Sequence, residues 1–246
     1  MITAYDYFSA QFVEIADLDA ILVGDSLGMV IKGEKDTLGV RFEELLYHLK
    51  AVRRGAKDIF IVADMPFLTY GINDAETIKY AGTLLREGAD AVKIEGPHYE
   101  LIKKMLSVGI PVMGHLGLTP QWYKIFGNFR PRGKKQKEKK WLIDSAKKLE
   151  SSGVFSIVLE CIPEELAKEI TDMLTIPTIG IGAGRYTDGQ ILVWHDVLGY
   201  NEEFSPYFVK KYCNLKEIIV QSLKKYNYEV KNGIFPEEKH SFLKRE

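Results

Sequence analysis

The chain has only two cysteines, Cys161 and Cys213, among 246 residues. Two thiols build neither a disulfide framework nor a cysteine-rich zinc centre. They fit a reducing, cytoplasmic setting in which each is a small buried hydrophobe. Long apolar runs are also missing: charges interrupt each one well short of the ~20 residues of a spanning helix, so no membrane partner is expected. The chain opens Met1-Ile2-Thr3-Ala4-Tyr5-Asp6, without the basic region and long apolar stretch of a secretion signal, so none is expected. Charge bias is absent too. Thirty-three basic against 34 acidic residues give a net charge of −1, which argues against a nucleic-acid partner and against an acidic solvating tail. With 46% hydrophobic and 27% charged residues the composition is that of a globular protein, not of a disordered or fibrous one.

What the chain does have is short apolar runs alternating with amphipathic stretches. The runs are Met1–Ala4, Ala20–Gly24, Ile59–Ala63, Ala91–Ile94, Pro111–Gly114, Ser156–Leu159, Thr178–Gly182 and Ile191–Trp194. Continuous Val/Ile/Leu runs of this length suit parallel strands buried on both faces. The intervening segments read as helices: one capped by Asn73 and ended by Gly88, one carrying Leu45, Leu46, Leu49 and Val52 to Gly55, one with Pro163 at its first position, one from Trp141 to Ser152. Eight such units predict a (β/α)8 TIM barrel. An open doubly wound sheet is the other arrangement, lowered by the lack of a Gly-x-Gly-x-x-Gly turn after the first strand. The Tyr186–Gln190 connection is too short for a normal helix. The domain reading is one barrel over residues 1–246 with a helical extension from about 200. Because a strand starts at once, either the fold begins abruptly or an upstream segment is absent.

Five consecutive strands end in an ionisable residue: Asp25, Asp64, Glu95, His115 and Glu160. In a barrel these ends form the rim where active sites are built. Singly each reads as a solvated loop residue or cap; together they crowd one mouth. Carboxylates so close repel unless a cation sits among them, and Lys93 alone does not offset four acids. Asp25, Asp64 and Glu95 offer only oxygen, which suits Mg²⁺, or Mn²⁺ as a substitute. Lys93 and Glu95 are two apart and face the same way, so Lys93 either meets a substrate carboxylate or forms a structural ion pair. Glu160 and His115 are the candidates for proton transfer, His115 equally a hydrogen-bonded rim residue. His48 reads as packing, while His98 and His195 have no consistent partners. Gly180, Gly182 and Gly184 end the seventh strand, where barrels bind phosphate, or simply make room. Arg130–Lys140 carries seven basic residues and one acid, +6, a solvated face or an attractor of a polyanion.

These strand ends resemble the ketopantoate hydroxymethyltransferase family. The resemblance rests on Thr3-Ala4-Tyr5-Asp6, Val23-Gly24-Asp25-Ser26-Leu27-Gly28-Met29, Tyr47-His48 with Ala51-Val52-Arg53-Arg54-Gly55, and Ala63-Asp64-Met65-Pro66-Phe67. It continues through Val92-Lys93-Ile94-Glu95-Gly96, Gly114-His115-Leu116-Gly117-Leu118-Thr119-Pro120-Gln121, Leu159-Glu160-Cys161, Ile179–Gly184, Thr187-Asp188-Gly189-Gln190 and His240-Ser241-Phe242. It implies a Mg²⁺-dependent barrel, of the phosphoenolpyruvate mutase/isocitrate lyase type, that moves a hydroxymethyl group from 5,10-methylenetetrahydrofolate to 2-oxoisovalerate (3-methyl-2-oxobutanoate). The product would be 2-dehydropantoate (ketopantoate), for pantothenate biosynthesis, through a Mg-stabilised enolate. By position it implies Asp25, Asp64 and Glu95 as metal residues, Asp25, Ser26, Asp64 and Lys93 as keto-acid contacts, Glu160 as proton acceptor and His115 in a supporting role. It further implies a homo-oligomer, a decamer of pentameric rings. The competing expectation is another Mg²⁺-dependent keto-acid C–C lyase or aldolase of the same barrel class. Three departures stand out: only Met1 and Ile2 precede the first motif, which leaves barrel closure open; Gly127-Asn128 replaces Gly-Gly; Lys239 replaces Glu.

Overall fold

The computed structural model describes residues 1–127, 130–200 and 206–242; Asn128 lies outside them. Eight strands form one parallel sheet in chain order: β1 (Ile2–Thr3), β2 (Ala20–Val23), β3 (Phe60–Asp64), β4 (Ala91–Glu95), β5 (Val112–Gly117), β6 (Ser156–Glu160), β7 (Thr178–Ile181) and β8 (Gly189–Gln190). The sheet curls back on itself. Ile2 bridges Leu192, and the Thr3 N–H donates to the Leu192 carbonyl at 3.2 Å, so two residues of β1 suffice to meet the last strand. This is the expected (β/α)8 arrangement.

One boundary differs from the sequence reading. The eighth strand is Gly189–Gln190 rather than Ile191–Trp194. The apolar residues of that run are used for closure: Leu192 reaches β1, and the buried Ile191 fills the barrel interior.

Helices cover the strands. They are α1 (Tyr7–Ile15), the short α2 (Leu27–Val30), α3 (Phe42–Gly55), α4 (Asp74–Arg86), α5 (Tyr99–Ser107), the short α6 (Tyr123–Phe126), α7 (Gln136–Ser151) and α8 (Glu164–Met173). No helix lies between β7 and β8. The caps follow the sequence: the Asp6 carboxylate accepts from the Phe8 and Ser9 N–H groups, and Asn73 accepts from Ala75 and Glu76. Pro163 stands one position earlier than expected. Its ψ of 139° is extended, so it caps α8 rather than opening it.

Two compact units divide the chain, Met1–Trp194 and His195–Glu246. The second contains α9 (Leu215–Lys231), whose start Asn214 caps by accepting from the Glu217 N–H. No helix among the described residues is long and apolar enough to cross a membrane. Cys161 is buried as expected, but Cys213 is exposed, its thiol near the Leu198 carbonyl.

The barrel interior explains how the site is placed. Leu22, Val62, Ala91, Met113, Val158 and Ile191 form its buried apolar layer. Alternation along each strand then puts the next inward residue two positions on: Asp64 after Val62, Lys93 and Glu95 after Ala91, His115 after Met113, Glu160 after Val158. A one-residue slip would point every one of these outward, so the apolar layer fixes the register that assembles the charged one. The Tyr47-His48 to Gly55 segment serves packing: His48 Nδ1 meets the Tyr5 carbonyl at 2.5 Å, and the Arg53 guanidinium binds the Gly88 carbonyl and Asp90.

Candidate active site

Parallel pairing sets Asp64 beside Lys93 and Glu95 beside His115, and places Gly117 beside Glu160. Asp25 follows β2 and is tied to β3, its backbone N–H donating to Asp64 Oδ2 at 3.1 Å. Asp25, Asp64, Lys93, Glu95 and His115 are all at most 5% exposed. The Lys93 ammonium lies 2.5 Å from Asp64 Oδ1 and 3.2 Å from His115 Nδ1. An ammonium has only protons to offer, so Nδ1 accepts and the imidazole keeps its proton on Nε2. That nitrogen lies 3.2 Å from Glu160 Oε2. Close polar contacts therefore run from Asp64 through Lys93 and His115 toward Glu160, the last of them a 3.2 Å approach without hydrogen-bond geometry.

The site also contains two residues to which the sequence reading gave no role. Gln121, just beyond β5, donates its side-chain amide to Asp25 Oδ2 at 2.8 Å and to the Met65 carbonyl at 2.9 Å. Its backbone N–H donates to Glu95 Oε2 at 3.0 Å, and its Oε1 accepts from the Tyr70 hydroxyl at 2.6 Å. The Tyr70 oxygen accepts in turn from the Glu95 N–H. Tyr70 lies in a loop and Gln121 in the single 3-10 turn Pro120–Trp122, too short for any periodicity to mark a residue. Gln121 ends a motif that carried the resemblance, which is the one signal it gave; Tyr70 gave none. Ser26 stands at the edge of the site, its hydroxyl 2.8 Å from the Tyr5 hydroxyl.

Burial decides the electrostatics. It pushes Asp25 up to about 7, with the Asp64 carboxylate adding to the rise against Lys93 and Gln121. It holds Glu95 well above the usual carboxylate range and raises Glu160 to about 7. Burial and the Lys93 charge keep His115 well below its ordinary value, hence neutral. For Lys93 burial opposes the charge, but Asp64, Glu95 and Asp25 together outweigh it and raise the pKa. Carboxylates outnumber cations here, and the donors of Asp25, Asp64 and Glu95 are oxygen only. Among the described residues no three His, Cys, Asp or Glu side chains are arranged to hold a metal ion: Asp64 is engaged by Lys93, while Gln121 occupies both Asp25 and Glu95.

The remaining residues singled out from sequence sort clearly. Gly117 has φ of +100°, and an added Cβ would meet the Glu160 carbonyl oxygen at 2.1 Å, so this glycine lets β5 and β6 close beneath the site. Gly180 makes room, since a Cβ there would meet Thr187 Oγ1 at 2.5 Å. His98 stacks edge-on against Tyr70, outside the charged layer, and His195 lies against Tyr200. Within the basic stretch Arg132 lies over Phe126 and 3.4 Å from Glu138, and Lys139 pairs with Glu169.

Comparison with known proteins agrees with this architecture. The chain is 54% identical over 244 residues to the 3-methyl-2-oxobutanoate hydroxymethyltransferase of Thermotoga maritima, covering 98% of this chain and 90% of the relative. It is 53% identical over 245 residues to the enzyme of that name from Clostridium kluyveri, covering 98% and 88%. Among solved structures it resembles the phosphoenolpyruvate phosphomutase of Streptomyces platensis subsp. rosaceus (TM-score 0.62, 12% identity, 94% of this chain and 82% of that one). It also resembles 2,3-dimethylmalate lyase, of the PEP mutase/isocitrate lyase superfamily (TM-score 0.60, 14% identity, 98% and 85%). At such identities the likeness is one of fold. Residues 1–238 match the family model of ketopantoate hydroxymethyltransferase, and the chain belongs to that family.

Proposed function

We propose that this chain transfers a one-carbon unit from 5,10-methylenetetrahydrofolate to 3-methyl-2-oxobutanoate, yielding 2-dehydropantoate for pantothenate biosynthesis. Family membership supports the reaction. The observation that carries the chemistry is the run of close polar contacts from Asp64 through Lys93 and His115 toward Glu160, a buried base held apart from a buried ammonium.

Glu160 is the proton acceptor. Its pKa near 7 keeps it basic enough to accept a proton and lets it ionise at neutral pH. His115 stays neutral and keeps its Nε2 within 3.2 Å of the Glu160 carboxylate, in a supporting role. The Lys93 ammonium pairs with the carboxylate of the keto acid, which Ser26, Asp25 and Asp64 help to seat. Glu160 removes the C3 proton; both carbon–nitrogen bonds of the methylene carbon break, one giving way to C3 and the other to the hydroxyl of a water molecule, and the two folate nitrogens take up the C3 proton and the remaining water proton as tetrahydrofolate leaves. The donor chemistry of Asp25, Asp64 and Glu95, all oxygen and short of positive charge, suits Mg²⁺, with Mn²⁺ as its substitute; to hold the ion these carboxylates would have to turn from the Lys93 and Gln121 contacts that engage them here. When bound, such a cation acts as a Lewis acid toward the keto acid's oxygens. The resemblance supports a homo-oligomer, a decamer, and the two free thiols support a cytoplasmic setting.

The test is product formation from 3-methyl-2-oxobutanoate with and without methylenetetrahydrofolate, each with and without Mg²⁺. Transfer requires both additions. Keto-acid cleavage indifferent to the folate would instead support a C–C lyase.

A further inference from the structure

Beside the charged layer lies a separate cavity of about 280 Å³. Its floor includes Gly96, the residue after Glu95, and Gly117, which packs against the Glu160 carbonyl. Its walls are largely apolar and come from two elements: Trp122 and Phe126 around α6, and Trp141 with Leu142 in the first half of α7. The Trp122 and Phe126 rings stack with centroids 6.4 Å apart and planes 25° from parallel. Arg132 and Lys137 also line it, together with Glu138, the ion-pair partner of Arg132. The chemistry described above uses none of these side chains.

Ligand pockets run from roughly 300 to 1,000 Å³, so this one accepts a two-ring head group rather than a whole folate. Flat aromatic walls favour a planar heteroaromatic ring, stacked at low entropic cost. The basic side leads into the +6 stretch from Arg130 to Lys140, where Lys134, Lys135, Lys137 and Lys140 are exposed to solvent. A planar ring carrying an anionic tail matches both features. We propose that this cavity seats the pterin head of the folate cosubstrate, with Lys137 and its basic neighbours meeting the glutamate tail. The proposal rests on the folate-dependent transfer reading above. It places the one-carbon donor next to the backbone that follows Glu95 and His115.

The test is calorimetric binding of tetrahydrofolate to the full chain, alongside binding of 3-methyl-2-oxobutanoate with Mg²⁺. Trp141→Ala is expected to weaken tetrahydrofolate roughly 10- to 100-fold, the range of a truncated aromatic anchor. Keto-acid affinity should stay within about twofold by the same reasoning. Trp141→Phe, which keeps a flat ring, should recover most of the affinity. Lys137→Glu should weaken tetrahydrofolate but not tetrahydropteroate, which lacks the glutamate. Tetrahydrofolate affinity unchanged in both Trp141→Ala and Lys137→Glu overturns the cavity assignment while wild-type transfer still stands. A wild-type chain that binds the keto acid but forms no product with the folate overturns the transfer reading, and this proposal with it.

Discussion

The side-chain amide of Gln121 donates to Asp25 Oδ2 at 2.8 Å while its backbone N–H donates to Glu95 Oε2 at 3.0 Å, so one residue beyond β5 holds acids from two other strand ends. The Tyr70 hydroxyl fixes the orientation of that amide by donating to its oxygen. Gln121 is thus a positioning residue. Removing a partner that orients a reacting or ligating group costs ~10- to 100-fold in affinity or activity. Gln121→Leu should lower kcat/KM by that amount. Tyr70→Phe should lower it less, because the amide keeps its donors. Because the two act through one network, the double variant should be no worse than Gln121→Leu alone. Additive losses in steady-state kinetics would show that Tyr70 does not act through Gln121.

The raised pKa of Glu160 sets two pH dependences of opposite sense. As the proposed base Glu160 must be ionised, so kcat/KM should fall as pH drops through about 7 and level off above it. Stability runs the other way. The folded carboxyl keeps its proton to about 7, whereas the unfolded one releases it near 4.5. Across that window the folded state binds more protons, and stability declines as pH rises. Glu160→Gln removes this penalty, so its melting temperature should exceed the wild-type value by a margin that opens between these pH values. A margin that shrinks with rising pH would contradict a burial-raised Glu160.

Asp25 and Asp64 are expected to act in binding rather than in proton transfer. Asp25→Ala and Asp64→Ala should weaken Mg²⁺ and keto-acid binding together in calorimetry. Asp64→Ala should also destabilise the fold by about 3–5 kcal/mol, because the buried Lys93 ammonium loses its partner. Keto-acid affinity unchanged in both variants would remove these carboxylates from the binding site.

The charged layer was legible because of the physics of parallel strands. Strands buried on both faces read as unbroken apolar runs, so the first ionisable residue after each run marks its end and the rim. Period-two alternation then put Lys93 and Glu95 on one face without any structure. β8 was misplaced by two residues because closing the barrel against β1 consumed the apolar run that marked it. Gln121 sits in a single 3-10 turn and Tyr70 in an irregular loop, and their partners lie at the ends of β2, β3 and β4, so only three dimensions reveal them. Cys213 misled because thiol burial is a tendency of the residue type, not of the position. The cavity between Trp122 and Trp141 spans two elements 19 residues apart in sequence, with no pattern linking them.

The most direct measurement is exchange of the C3 proton of 3-methyl-2-oxobutanoate in deuterated water, followed by NMR with Mg²⁺ present and folate absent. It isolates proton removal from carbon transfer. The wild-type chain should exchange C3 readily, and Glu160→Gln should bind the keto acid with similar affinity yet exchange ~10²- to 10⁴-fold more slowly, the usual contribution of a positioned base. Exchange at the wild-type rate in Glu160→Gln would contradict Glu160 as the proton acceptor.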